Sequence, residues 1–457
     1  MDRTATGLAP LDNGPHHAHL VGLGGGGMTG LAQWLVQRGF VVTGSDSEPG
    51  PTARRLQRLG VRIHPGHAPR SVPHSARLLV YGPNVPAGHP DRLSARVGGV
   101  EQRSCSTVVA GLLRQGMGIA AIGGRRAGMA AAMVGWTLTH AGLDPTVLLG
   151  SASTQLGGYG RLGLGRHVVV GGGSGLVESD LVGVGLVILH DPSDPSARRA
   201  TLARLAEASP EGGSILGFAD ERDDTDLESD GLAGRVERFS LVPGHAWWGA
   251  DLRQERGCYR FRAFHRGRFA LEVRLQVPGR HLVLSALAAV AACARVDLDC
   301  RAIKEGLEEF AGISRGFESR GSYRGVTLVD DEADGPGGVG EALGTAREVH
   351  GRRRLCAAYR HPSGQGKPWP DSSEFSQADR VWIVDREDRE GDPEAGVLAE
   401  RLAGAGLLVG RASSLDGAIG DLDRQLEPGD VLVTLGAGDV GTIADAFLRR
   451  LPGDRHA

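Results

Sequence analysis

The chain is short of cysteine. Its 457 residues include five, Cys105, Cys258, Cys293, Cys300 and Cys356, and no two share a CxxC spacing. Scattered thiols exclude a disulfide framework or a zinc ribbon and fit a reducing cytoplasm. Long apolar runs are missing too. No stretch reaches the ~18 uncharged apolar residues that a spanning helix needs, and the polar opening MDRTATGLAPLDNGPHH is no signal peptide. No membrane span is expected. Charge of one sign is also lacking. The formal net charge is −3, so bulk electrostatics favour neither nucleic acid nor a membrane surface. What the chain has is glycine, 72 residues. That is well above the usual ~7%, as many glycine-rich loops or drift in a GC-rich genome would produce.

Length suggests roughly three domains at about 150 residues each. Residues 1–18 read as a disordered lead-in. From His19, short apolar runs alternate with amphipathic segments: HLVGL, FVVTGSD, VRIH and RLLVYG read as strands, and MTGLAQWLVQRG and TARRLQRLG as helices. This βαβαβ punctuation marks a doubly wound parallel sheet. A second unit starts near Gly118 with the strand GIAAIGG and the helix AGMAAAMVGWTLTHAG. Residues 151–175 are glycine-rich and read as loops, with strands at RHVVV, GLVIL and GSILGFA. DERDDTDLESD reads as solvated, CYRFRAFHRGRFALEVRL as a hairpin turning at HRGR, and the stretches near 281–296 and 301–310 as helices. A third unit near 316 carries the strands GVTLVDD, RRRLCAAY, DRVWIVD and GDVLVTLGAGD. All three units read as α/β.

Two glycine loops hold the candidate chemistry. The first, Gly22-Leu23-Gly24-Gly25-Gly26-Gly27, sits between a strand and a helix and fits GxGxxG, with Asp46 ending the next strand about 19 residues on. Glycines let backbone amides approach a diphosphate, and the helix N-terminus adds partial positive charge. On this loop alone a nicotinamide-dependent oxidoreductase is one reading, and a tight turn without a ligand is another.

The stretch HLVGLGGGGMTGLAQWLVQRGFVVTGSD resembles the opening of the Mur ligases, in particular their alanine-adding branch, with its strand, GIGGxGMSG, helix and GSD. The similarity runs on through Gly66-His67 and VYGPNVPAGHPDRLSARVGGVEQRS, where Gly82 replaces a family serine and Arg103 keeps a family arginine. The resemblance implies three domains: 19–117, Rossmann-like and binding a UDP-sugar; 118–315, a central P-loop-type mononucleotide-binding fold; and 316–457, Rossmann-like α/β. It implies Gly24, Gly25, Gly27, Met28, Thr29, Asp46 and Arg103 around the sugar nucleotide. It further implies ATP and Mg²⁺ as cofactors of an amide-forming ligase in peptidoglycan precursor synthesis.

The second loop departs from that pattern. The family carries GTxGKT, whose lysine meets the β/γ-phosphates and whose threonine holds Mg²⁺. Here Gly123 and Gly124 are followed by Arg125 and Arg126, with Ala127 at the lysine position and Gly128 at the threonine position. Other motifs have changed alongside. Gly171-Gly172-Gly173-Ser174-Gly175 stands where the family has a metal-binding glutamate. In the run Leu189-His190-Asp191-Pro192-Ser193-Asp194-Pro195, Asp194 survives and a proline replaces the histidine. His281 is kept while both asparagines of its motif become Leu282 and Ser285. Arg315 keeps one arginine of a pair. In the third domain Asp330, Asp331 and His361 remain of larger motifs. The remnant ATP site would then be Gly123, Gly124, Asp194, His281 and Arg315, with no metal ligands. Arg125, Arg126 and His281 are the weak catalytic candidates. The expectation is a Mur ligase homologue of impaired or absent catalysis that retains a sugar-nucleotide scaffold. The alternative is an active ligase with displaced groups, in which changing Arg125 or Arg126 to alanine abolishes activity. The sequence names no protein partner.

Overall fold

The computed structural model describes residues 16–46, 51–66, 72–172, 175–176, 178–190, 195–209, 213–220, 234–362, 368–386, 389, 391–436 and 438–450. Asp194, His67, Gly173, Ser174 and the acidic stretch 221–230 lie outside them. Two compact units form. The first comprises Met1–Arg253, Arg260–Gln276 and His281–Ile313. The second comprises Gln254–Tyr259, Val277–Arg280 and Ser314–Ala457.

The first sheet has five strands, β1 (His17–Val21), β2 (Val41–Asp46), β3 (Arg62–Pro65), β4 (Leu78–Tyr81) and β5 (Glu101–Ser104), in the order β3-β2-β1-β4-β5. All its pairings are parallel. Helices α1 (Gly26–Gln37), α2 (Pro51–Arg58), α3 (Pro90–Val97) and α4 (Cys105–Gln115) connect them. The order reverses at β1, and in such sheets ligands gather beyond the strand C-termini at that switch point. The sheet starts at His17, inside the stretch read as a lead-in. The physical reason is a polar anchor: His17 is buried, its Nδ1 meets Ser75 Oγ at 2.7 Å and its Nε2 meets Thr43 Oγ1 at 2.9 Å.

The second sheet has ten strands. They are β6 (Met117–Ile122), β7 (Thr146–Ser153), β8 (Gly158–Arg161), β9 (His167–Gly171), β10 (Leu186–Leu189), β11 (Ser214–Phe218), β12 (Val236–Ser240), β13 (Trp247–Glu255), β14 (Cys258–His265) and β15 (Arg268–Pro278). Helices α5 (Arg125–His140), α6 (Pro195–Ala208), α7 (His281–Arg295) and α8 (Cys300–Glu308) accompany them. The order β15-β14-β13-β12-β11-β10-β6-β9-β7-β8 puts β6 and its glycine exit between β10 and β9. The hairpin is where the sequence places it, with Arg266 and Gly267 at φ +48° and +79°. Residues 151–175 are not all loop, as the glycine content had suggested. They hold the end of β7, then β8 and β9. The glycines there permit close packing instead: a Cβ on Gly160 would lie 2.4 Å from the Gly30 carbonyl oxygen of α1.

The third sheet, in the second unit, has β16 (Glu318–Tyr323), β17 (Val326–Asp331), β18 (Leu355–Arg360), β19 (Arg380–Val384), β20 (Leu408–Ala412) and β21 (Val431–Gly436). Helices α9 (Gly338–His350), α10 (Pro393–Gly404), α11 (Leu415–Gln425) and α12 (Thr442–Arg449) go with it. The order is β16-β17-β21-β18-β19-β20, with only β16 antiparallel. Its central strands are near-continuous apolar runs, as a parallel sheet covered on both faces requires. Among the described residues, no helix is long and apolar enough to cross a membrane.

Candidate functional site

The first glycine loop joins β1 to α1. Gly22 takes φ +83°, a conformation that favours glycine, and its amide bonds the Ser45 carbonyl at 3.0 Å. The Gly24 amide donates to Asp46 Oδ2 at 2.6 Å, so the acid at the end of β2 braces the loop. Gly24 and Gly25 are exposed, and a Cβ on Gly25 would meet nothing within 4 Å. Helix α1 has no acidic residue in its first turn and no side-chain cap, so the dipole of its start favours an anion without competition from a side chain. The other sequence candidates do different work. Gly27, Met28 and Thr29 are buried, and Thr29 Oγ1 donates to the Leu23 and Gly25 carbonyls at 3.2 Å. Arg103, on β5, donates through Nε to Glu101 Oε1 at 2.6 Å.

Gly26 has no room for a side chain. A Cβ there would fall 1.7 Å from the Gly150 carbonyl oxygen on β7. Gly150 in turn lies beside Gly172, and Gly172 beside Gly128 of α5, where an added Cβ would sit 3.5–3.6 Å from its neighbour. The glycines thus bring the starts of α1 and α5 against a shared backbone seam.

The second loop leaves β6 through Gly123 and Gly124, at φ +115° and +77°. Gly124 caps α5 without a side-chain bond, is exposed, and has nothing within 4 Å of an added Cβ. Ala127, at the position of the family lysine, is 1% exposed, and Gly128 offers no hydroxyl. Of the chain's two lysines, Lys304 sits on α8 near Glu308, at 3.9 Å, and Lys367 lies outside the described residues. Among the described residues no three His, Cys, Asp or Glu side chains are grouped to hold a metal ion. By the resemblance, Ala127 and Gly128 stand where GTxGKT has its lysine and threonine, and neither side chain supplies a cation or a metal-binding hydroxyl.

What converges instead is basic. His190 follows β10 in register with Gly123, and its amide bonds the Ile122 carbonyl at 2.9 Å. His281 opens α7, and Ser285 one turn on donates to the Arg126 carbonyl at 3.1 Å. Burial, then Arg126 and His281, push His190 down to about 3. Burial, then Arg125 and Arg126, do the same to His281, also to about 3. Burial and then Arg125 lower Arg126. Both histidines are neutral imidazoles at pH 7. The ring of His190 stacks on Phe218 at 5.5 Å and meets Phe239 edge-on at 5.2 Å. Beyond them Arg238 donates to the Phe218 carbonyl at 3.3 Å and Arg198 pairs with Asp220 at 3.4 Å. The sequence pointed to Arg125, Arg126 and His281. It passed over His190, whose only signal was its place at a strand end.

The second unit holds Arg315, Asp330, Asp331 and His361. Arg315 donates to Asp330 at 2.9 Å and to the Gly436 and Gly438 carbonyls at 2.6 and 3.0 Å. Asp330 also accepts from Thr434 at 2.8 Å, and Asp331 accepts from the Phe317 and Ala333 amides at 2.8 Å. These acids are 1% and 2% exposed, and they tie β17 to β21 and to the chain entering β16. His361 is buried, meets the Tyr359 hydroxyl at 2.8 Å and stacks on Trp369 at 4.1 Å.

Comparison with known proteins agrees with this architecture. The family described as "Mur ligase family, catalytic domain" matches residues 17–116. UDP-N-acetylmuramate–L-alanine ligase of Solibacter usitatus is 30% identical across 96% of this chain and 96% of its own length. The enzyme of the same name from Kineococcus radiotolerans is 32% identical across 95% and 96%. The crystal structure of UDP-N-acetylmuramate–alanine ligase from Thermotoga maritima superposes with a TM-score of 0.78 at 23% identity, covering 95% of this chain and 98% of that one. A murein peptide ligase of Psychrobacter arcticus gives 0.75 at 21%, covering 97% and 100%. These likenesses support the three-domain α/β fold and give no support to a nicotinamide-dependent oxidoreductase.

Proposed function

The chain belongs to the Mur ligase family, and from that premise we propose that it is a member without ATP-driven ligation that retains a sugar-nucleotide-binding scaffold, acting in the cytoplasm on or beside peptidoglycan precursor synthesis. The observation that carries this is the contrast between the loops. The first keeps exposed glycines at Gly24 and Gly25, a helix start without a side-chain cap and the Asp46 brace. The second has Ala127 buried in place of a cation.

The family reaction makes an acyl phosphate and then an amide, and it depends on stabilising charge on the transferred phosphoryl group. Losing one such group commonly costs ~10²–10³ in rate. Lysine, hydroxyl and acidic metal ligand together would exceed ~10⁶ if independent, and less where they act as a unit. Arg126 does not replace the lysine, because it occupies the second-glycine position of the loop. The domain bounds that go with this reading are 19–117 for the sugar nucleotide, 118–315 for the former ATPase and 316–457 for the C-terminal domain. Within it, Gly24, Gly25, Asp46 and Arg103 are the substrate-facing set.

Calorimetric titration with UDP-N-acetylmuramate tests the scaffold directly. A dissociation constant of ~1–100 μM, about −8 to −5 kcal/mol, is expected. Absence of saturable heat from folded protein at millimolar ligand would contradict it.

A further inference from the structure

We propose that the end of the first sheet opposite its glycine loop is a docking face for an anionic phospholipid surface, carried by Arg38, Arg58, Arg62, Arg77 and Arg96. The inference is independent of the fate of ATP chemistry in this chain.

Topology places these arginines together. Arg62 opens β3 and Arg77 immediately precedes β4. The Arg77 amide bonds the carbonyl of His17, the first residue of β1, at 2.9 Å. Arg38 caps the C-terminus of α1 just before β2 begins at Val41. Arg58 and Arg96 lie in the last turns of α2 and α3, which lead into β3 and β5. The strands are all parallel, so the strand starts and the helix ends that feed them share one side of the sheet, and the glycine loop lies on the other. Five strands spaced ~4.8 Å apart make this a row about 20 Å wide. All five arginines are exposed.

The charge there is one-sided. The run 49–90 holds six arginines and neither aspartate nor glutamate, in a chain whose formal net charge is −3. Among the described residues, no carboxylate pairs with Arg38, Arg58, Arg62, Arg77 or Arg96. Exposed arginines elsewhere do find one. Arg324 and Arg450 share Asp423, Arg401 meets Asp371 and Arg301 meets Glu305. Glu101, which opens β5 at this end, is taken by Arg103. Arg58 and Arg96 complement the dipoles of their own helices. Arg62 and Arg77 sit at strand starts, where that account does not apply.

The neighbours of the arginines select the partner. Val97, beside Arg96, is 91% exposed, and Leu59, beside Arg58, is 40% exposed. An aliphatic tip next to a guanidinium suits the headgroup boundary of a bilayer, where the cation meets phosphate and the tip enters the apolar layer. The arginines spread along a row and do not converge on a pocket, so they match a plane of charge and not a single anion. Single-stranded nucleic acid would call for stacking aromatic side chains, and the rings at this end, Trp34 and Phe40, pack into the core. No described helix is long and apolar enough to cross a membrane, so the contact is peripheral. It turns the glycine loop, at the other end of the same strands, toward the aqueous side.

The test is sedimentation of the full chain with unilamellar vesicles of phosphatidylcholine, with and without about 30% phosphatidylglycerol, at ~0.1 M salt, where the Debye length is ~10 Å. Binding at least tenfold tighter to the anionic vesicles is expected, and it should fall at least tenfold at ~0.5 M salt. Arg62→Gln combined with Arg77→Gln should weaken it ~25-fold, about fivefold for each basic residue near the surface. Val97→Ser should weaken it about threefold. These exposed changes should leave the melting temperature within about 2 °C of wild type. Arg301→Gln, on α8 away from this face, should bind as wild type does. Equal affinity for the two vesicle types, no binding to the anionic ones, or unchanged binding in the Arg62→Gln, Arg77→Gln double variant would each overturn the proposal. So would a loss of the same size in Arg301→Gln, which would make the attraction diffuse. A single-stranded oligonucleotide or poly-glutamate bound as tightly as the vesicles at equal charge concentration would assign the face to another polyanion and overturn the lipid reading.

Discussion

Gly26→Ala is expected to destabilise the first unit by ~3 kcal/mol or more, the upper range for forcing atoms into a packed interior. The added Cβ falls 1.7 Å from the Gly150 carbonyl oxygen. Backbone on β7 has no rotamer to retreat into, so α1 must lift away from the ten-stranded sheet. Gly30, one turn on, faces the Tyr159 carbonyl oxygen at 2.8 Å and the Leu149 carbonyl oxygen at 3.2 Å, so the whole helix face would be disturbed. A loss of that size corresponds to a melting temperature lower by roughly 6–12 °C. Gly25→Ala, one residue earlier with nothing within 4 Å, should melt within about 2 °C of wild type, since surface changes usually stay within ~0.5 kcal/mol. Equal melting of the two variants would show that the glycine seam does not hold the helices.

Gly25→Asp separates binding from folding. Gly25 is the N-cap of α1 at φ −75° and ψ 134°, a conformation that aspartate adopts readily and a position where it is a favoured cap. The fold should be unharmed or slightly more stable. A diphosphate approaching the same amides would meet a carboxylate that has already taken them. UDP-N-acetylmuramate binding should weaken at least 100-fold, about 2.7 kcal/mol. Wild-type affinity in a well-folded Gly25→Asp protein would move the sugar nucleotide away from this loop.

Much of this architecture is legible in the sequence, and the exceptions have physical causes. The β1–loop–α1 unit, β4 and the central strands of the third sheet stand out because buried parallel strands are uninterrupted apolar runs, as in LVYG or VLVTLG. The stretch holding β8 looked like loop because GGYGR carries small residues, selected for the approach of α1 at Gly30 and not for strand propensity. β16 and β20 carry no apolar alternation. They are sheet edges, and Leu408 on β20 is 64% exposed. The identities at the second loop, Ala127 and Gly128 above all, were plain from the motif. The basic cluster was not, because His190, Arg126 and His281 come from three elements spread over about 155 residues, which the β10–β6 register and the contact of α7 with α5 bring together. In sequence Asp330 and Asp331 were remnants of a larger motif. In the structure their oxygens are taken up by Arg315, Thr434 and two backbone amides.

The central claim is that Ala127 and Gly128 have ended phosphoryl transfer from ATP. It is tested most directly by ADP release from the purified full chain with ATP, Mg²⁺, UDP-N-acetylmuramate and L-alanine. The account predicts release indistinguishable from a protein-free blank, from protein that melts cooperatively and binds the sugar nucleotide. Turnover near ordinary enzyme rates, ~1 s⁻¹ or more, dependent on both UDP-N-acetylmuramate and L-alanine, would contradict it.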